Sequence, residues 1–426
     1  MRKIFSSIQY MDKKRIQYTC MEFLSWATLA AISFNVVLLR EKGYKNTVIG
    51  TIMFVVAFSN IFAKPFWGVV SDRIRSVKKV YIFCMAISAV IYLLLPLTGS
   101  PLQTGLTLLV FNFFCSPLDP LLNSWIVHGT SNNKDMSYGA IRLWGSIGYA
   151  IMTYAYGKLI NYRSVNIVFP AYFIMAVLTI ILSIRIKDEE AAVQQITLKE
   201  MKFGKLFTNY YYVTFVLYAF FINIAIASSS TFLPNLVEHL RGSKEQLGMM
   251  FSIRALCEIP ILFFGRQLIR IFGPVKLTIF AGVLYISQQF AYLMAINPLQ
   301  VILGHIIGGP AYSLFLLGMI HYVHILAPDE LKATAQTFTS AFSMGLGSMV
   351  GNYLGGILVD YLGLHWLYRL GILNNFLAVT LFVLSFLLKK YRISIKSKSS
   401  CYPPYSANNY KFAKDKDVRF LKKSAQ

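Results

Sequence analysis

Arg254 and Glu258 stand four residues apart in an otherwise apolar run, one helical turn from each other and on one face. A carboxylate beside a guanidinium in such a setting can carry a proton. The cation favours the charged form, and a change of partner between two states lets the proton bind. The same pair also reads as a permanent ion pair that fastens one helix into a bundle. His305, near the start of another apolar run, suits a proton relay or a solute contact, and equally a neutral, hydrogen-bonded histidine. Four further charges, Glu22, Lys64, Asp119 and Arg142, lie a few residues inside the ends of apolar runs. At a rise of 1.5 Å per residue their depths come to about 6–12 Å, so two acids and two bases share one level. They read as a buried network or a gate, with snorkelling of Lys64 and Arg142 to the interface as the competing reading. Each such charge in lipid costs about 2.5–3.5 kcal/mol, so each needs a partner or a purpose.

The elements that position these residues are membrane helices. Hydrophobic residues make up 56% of the chain and charged ones 14%, against roughly a quarter charged in soluble proteins. A hydrocarbon core of about 30 Å takes about 20 apolar residues per helix. On that measure twelve spans are predicted, near 17–39, 47–70, 77–97, 104–127, 138–158, 167–185, 209–236, 245–268, 275–296, 299–325, 333–359 and 364–388. The runs are long and broken by Gly, Pro and charge clusters, which implies helices rather than a β-barrel. An all-α membrane protein follows. Its expected parts are a segment over 1–16, a six-helix bundle over 17–185, a charged linker over 186–208, a second bundle over 209–388 and a basic tail over 389–426.

The net charge of +23 would point to nucleic acid in a soluble protein. Here about 30 of the 41 basic residues fall on one side of the spans, eleven of them from Lys389 onward. The positive-inside rule makes that side, with both termini, cytoplasmic. A tail beside an anionic leaflet, not a nucleic-acid arm, is therefore expected. The first eighteen residues are polar and basic and the first span is long, so no cleavable signal is expected. Cys20, Cys84, Cys115, Cys257 and Cys401 are scattered and read as small apolar fillers without metal-ligand spacing. No nucleophile–base set or phosphate-cradling glycine loop shows, so neither an enzyme nor a metal or cofactor is expected.

The halves echo each other. Gly148, Gly157 and Asn161 precede Gly347, Gly356 and Asp360 by 199 positions, and Gly68 and Arg73 precede Gly265 and Arg270 by 197. The second loop copy has Ile269 where the first has Asp72. Gly345, Gly347, Gly351, Gly355 and Gly356 cluster in the eleventh span, for close helix packing or for a hinge. Amides in the spans (Asn35, Asn60, Asn123, Asn223, Gln288, Gln289, Gln336, Asn352, Asn374, Asn375), with Tyr156, Tyr218, Tyr285 and Tyr312, would suit a cavity for a hydroxyl-rich solute.

Gly68, Asp72, Arg73, Arg75, Lys78 and Lys79, between the second and third spans, resemble the loop of the major facilitator superfamily that braces neighbouring helices on the cytoplasmic side. Tyr138 to Tyr149 resembles the span-5 signature of lactose permease, nucleoside–proton symporters and phenylpropionate permeases. Glu258-Ile259-Pro260 and Ala335 to Gly356 resemble the phenylpropionate group. The resemblance covers about residues 17–390 and implies a monomeric transporter in the cell membrane, with protons and a small solute as its partners. It places Arg142 at a substrate-binding arginine and Tyr149 at an aromatic that stacks on sugar. The span-4 carboxylate of lactose permease finds Asp119, Asn123 and Ser124 as its nearest candidates, and the tenth span has His305 without a mid-span carboxylate. The expectation is proton-coupled import of a sugar or nucleoside. Glu258, Arg254 and His305 would serve the proton, and Arg142, Tyr149, Asp119 and Asn123 the substrate. An aromatic-acid importer, an exporter of the same fold and a non-transporting sensor or scaffold are the alternatives.

Overall fold

The computed structural model describes residues 2–130, 138–186, 204–328 and 331–399, and their regular structure is helical throughout. Eleven helical stretches are long and apolar enough to cross a membrane. They are α1 (Lys13–Glu41), α2 (Asn46–Ile74), α3 (Val77–Leu97), α4 (Pro101–Thr130), α6 (Val165–Arg185), α7 (Tyr210–Thr231), α8 (Lys244–Phe263), α9 (Gly265–Met294), α10 (Pro298–Leu326), α11 (Thr334–Tyr361) and α12 (Leu364–Leu388). In the fifth place stands α5 (Tyr138–Tyr162), a 25-residue helix with the less apolar composition that Arg142, Lys158 and four glycines give it. The charged part of the expected linker, and the tail beyond residue 399, lie outside the described residues.

Local chemistry sets the helix ends. Ser76, Ser100, Asn209 and Asn297 each cap the helix that follows, and Ser243 forms a reciprocal capping box with Gln246. Pro101 and Pro298 occupy first helical turns, where no N–H is needed. The segment from Gly68 to Lys79, expected as a loop, is mostly helix: α2 runs to Ile74 and α3 starts at Val77. Arg75, at φ 55°, turns the chain, and its N–H reaches the carbonyls of Asp72 and Ser71. Lys78 then ties α3 to the end of α6, donating to the carbonyls of Ile184 (3.0 Å) and Ile186 (2.5 Å). Asp72, Arg73, Arg75 and Lys79 are exposed. The second copy, around Gly265 and Arg270, is a short helix that breaks at Gly273 (φ 73°) before Pro274.

The internal echo is realised in packing. Gly148 of α5 rests on the backbone of Phe23 in α1, and its counterpart Gly347 of α11 rests on that of Phe220 in α7. Gly157 of α5 meets Lys244 and Gly248 of α8, while Gly356 of α11 meets Asn46 and Thr47 of α2. A Cβ at any of these four positions would come within 2.4–3.0 Å of a neighbouring backbone oxygen. Thus α5 joins α1 to α8, and α11 joins α7 to α2 in the mirrored role. Gly50 and Gly248 complete the symmetry, each facing a glycine of the opposite half, Gly356 and Gly157 respectively. In the glycine-rich eleventh span, Ala341–Leu346 winds as a π-helix, a local widening found at functional places in helices.

The bonds joining the two halves gather at the face opposite the α2–α3 turn, the far face. Asp360 of α11 accepts from the backbone N–H groups of Asn46 and Thr47 (3.1 and 2.6 Å) and from their side chains (2.8 and 2.7 Å). That carboxylate caps α2 from the other half, where four amide donors point outward. Arg40 pairs with Glu238 at 2.7 Å, Asn235 donates to Asn46 at 2.6 Å, and Tyr154 donates to Glu245 at 3.1 Å.

Candidate functional site

On the basic side of this seam lies a polar cavity, and its first wall is built from α1 and α5. Glu22, Trp26 and Ser33 recur on one face of α1 at helical spacing. Arg142, Ser146 and Tyr149 do the same on α5. The Glu22 carboxylate is fully buried, with Oε1 3.4 Å from Arg142 Nη1 and the Trp26 indole N–H beside it. The Arg142 guanidinium lies 4.4 Å from the centre of the Trp26 ring, a cation–π contact. Tyr149 meets the same indole edge-on at 6.2 Å and shares a 2.7 Å hydrogen bond with Ser33. Gly145 makes the arrangement possible: a Cβ there would lie 2.5 Å from Trp26 Cδ1 and 2.7 Å from Glu22 Oε1.

The opposite wall comes from α8 and α10. Arg254 Nε is 3.7 Å from Glu258 Oε1, the one-turn pair expected from their spacing. That distance is an ion pair rather than a hydrogen bond. Arg254 also sits 5.6 Å from the Tyr312 ring. Both arginines therefore have the same surroundings, a carboxylate on one side and an aromatic face on the other. Arg142, Tyr149, Arg254, Glu258 and Tyr312 all line one chamber of about 440 Å³, within the 300–1,000 Å³ of typical small-molecule sites.

A second chamber of about 340 Å³ shares Trp26, Ile32, Ser33 and Tyr149 with the first and extends to Asn60, Lys64, Asn112 and Asp119. Asn112 Nδ2 donates to Asn60 Oδ1 at 2.8 Å and to Ser59 at 2.6 Å, fixing the amide on that wall. Asn123 does not line either chamber. It donates to Asp119 Oδ1 at 2.9 Å and holds that carboxylate from one turn away. The four charges expected at one level thus fall into the Glu22–Arg142 pair and two residues, Lys64 and Asp119, on a shared wall.

His305 stands apart from both chambers. It is buried, with Nδ1 3.0 Å from the Tyr292 hydroxyl and 3.1 Å from the Val301 carbonyl. Of the amides and tyrosines noted in the sequence, Asn35, Asn60 and Tyr312 reach the chambers. Others bond within the helix packing: Gln289 to Ser229, Asn352 to Thr231, Tyr218 to the Thr278 carbonyl. Sequence reasoning missed Trp26, Ser33 and Ser146. The signal was present, since Trp26 follows Glu22 by one turn and Ser146 follows Arg142 by one turn. Among the described residues, no three His, Cys, Asp or Glu side chains come together to hold a metal ion.

Comparison with known proteins adds the following. The model of the MFS_1 like family matches residues 16–370. The chain is 25% identical over 339 residues to the uncharacterized transporter YwbF of Bacillus subtilis (strain 168), covering 79% of this chain and 84% of that protein. It is 25% identical over 331 residues to the maltose permease of Geobacillus stearothermophilus (76% and 82%). Over 372 residues it is 25% identical to the sucrose permease of Escherichia coli (81% and 86%). Among solved structures, a mutant of the nucleoside transporter NupG superposes with a TM-score of 0.80 at 16% identity, covering 88% of this chain and 100% of that one. At that identity the likeness concerns the fold.

Proposed function

Given that the chain belongs to the MFS_1 like family of major facilitator transporters, we propose that it imports a neutral, hydroxyl-rich solute of the sugar or nucleoside class together with protons. The observation that carries this reading is the charge pairing in the cavity. Arg142 and Arg254 each already face a carboxylate, at 3.4 and 3.7 Å, and Lys64 shares a wall with Asp119. Three cations and three acids leave no net charge to attract an aromatic acid. What the cavity offers instead is aromatic faces from Trp26, Tyr149 and Tyr312 for an apolar ring face, and fixed polar groups for hydroxyls. The maltose and sucrose permeases among the relatives support the same class.

In this reading Arg142, Tyr149 and Asp119 contact the solute, and Asn123 orients Asp119. Glu258 carries a proton, and Arg254 favours its charged form until the helices move. The bonded far seam and the cavity on the basic side correspond to the inward-facing state of an alternating-access cycle. The basic face is cytoplasmic, and the protein works as a monomer in the cell membrane. Replacing Glu258 with Gln tests the assignment in proteoliposomes loaded with sugar. The variant is expected to lose uphill accumulation and to keep exchange of labelled for unlabelled sugar. Accumulation that survives the change would remove Glu258 from the coupling path.

A further inference from the structure

We infer that Glu22 is a second proton-binding site, filled when Arg142 turns from its carboxylate to the solute. The inference rests on the proposed solute site at Arg142 and deepens it. Glu22 has no exposed surface, and the one neutral donor beside its carboxylate is the Trp26 indole N–H. Its charge compensation is therefore narrow: Arg142 Nη1 at 3.4 Å is the cation paired with it. Arg142 itself is not captive. Its side chain is 27% exposed, lines the larger chamber and stacks on Trp26, which leaves its outer N–H groups free to take a hydroxyl. An isolated carboxylate in an apolar setting takes up a proton rather than stay charged.

The other titratable groups that sense Glu22 from neighbouring helices are Asp119 on α4 and the Tyr81 hydroxyl on α3. Asp119 adds a second negative charge, and the Tyr81 hydroxyl is engaged with Ser25 at 2.7 Å. Neither replaces the arginine. The step balances simply. A solute hydroxyl accepts from the Arg142 guanidinium, that guanidinium leaves Glu22, and one proton from the water of the basic-side chamber binds a Glu22 oxygen. No covalent bond to the solute forms or breaks. Release of the solute returns Arg142 to the carboxylate and the proton to water. Solute binding and proton uptake are then linked at α1 and α5, separately from Glu258 on α8.

The first arm of the test needs no solute. Removing the guanidinium imitates its departure, so Arg142→Ala protein at neutral pH is expected to show the infrared carbonyl stretch of a protonated carboxyl. The double variant Arg142→Ala with Glu22→Gln is expected to lack it. Arg142→Gln, which keeps the bulk of the side chain, repeats the comparison should the alanine variant fold poorly. Equal bands in the single and double variants, or no such band, would overturn the inference. The second arm adds maltose to purified protein in weakly buffered detergent and follows pH. Glu22→Gln is expected to take up about one proton fewer per chain than the unmodified protein. Undiminished uptake in Glu22→Gln would contradict the inference. Absence of any response to maltose, sucrose or uridine would count against the transport reading, and the infrared arm would still decide Glu22.

Discussion

At the scale of residues, the cavity presents two arginines whose environments are nearly alike. Arg142 offers a planar fork of donors over the Trp26 ring, which a lysine ammonium cannot reproduce. Arg142→Lys is therefore expected to raise the half-saturating sugar concentration about tenfold or more, ~1.4 kcal/mol, in counterflow assays. An unchanged value would show that the guanidinium does not touch the solute. The charged residues of this site were legible in the sequence because ionisable groups in apolar runs are costly, and that alone singles out Glu22, Arg142, Arg254 and Glu258. Their uncharged companions were not. Trp26, Ser33 and Ser146 belong to common types in a membrane helix, and the rotation of α1 and α5 decides whether they face the cavity or lipid. His305 shows the same limit, since its depth was readable but not its enclosure by Tyr292 and the Val301 carbonyl.

At the scale of elements, small residues govern how the helices meet. Gly248 and Gly157 bring α8 and α5 together across the halves, with a Cβ on Gly248 only 2.4 Å from the Thr153 carbonyl oxygen. Gly248→Leu is expected to wedge this seam. Overpacking costs about 1–3 kcal/mol, enough to shift a two-state equilibrium about 5- to 150-fold. The measurement is alkylation from the far face of a cysteine placed at Ser230 in the larger chamber, in a background without native cysteines. Labelling should rise in the variant; an unchanged rate would mean the glycine contact does not hold that face closed. The repeat at an offset of 199 announced Gly157 and Gly356 as paired positions, and the packing gives them equivalent partners. The turn after α2 was less legible. Its charged residues read as a loop, but Arg75 in the left-handed region and the Ser76 cap let helix continue on both sides.

At the scale of the whole molecule, the far face is held by polar bonds between halves, with Asp360 taking four hydrogen bonds at the start of α2. Asp360→Ala is expected to loosen that face and to raise labelling at position 230 as Gly248→Leu does. No increase would assign closure to the glycine seam instead. Twelve spans and a duplicated architecture could be read from hydropathy, charge sorting and internal spacing, because lipid allows few alternatives. Which face carries the bonds between the halves could not, since it depends on which side chains meet across the seam. The central claim, proton-driven uptake of a hydroxylated solute, is tested most directly by external pH in proteoliposomes without an imposed gradient. Maltose, sucrose and uridine would be added in turn to purified protein. Alkalinisation outside on adding one of them, lost in Glu258→Gln, is the predicted result. Sugar or nucleoside entry without any pH change would contradict it.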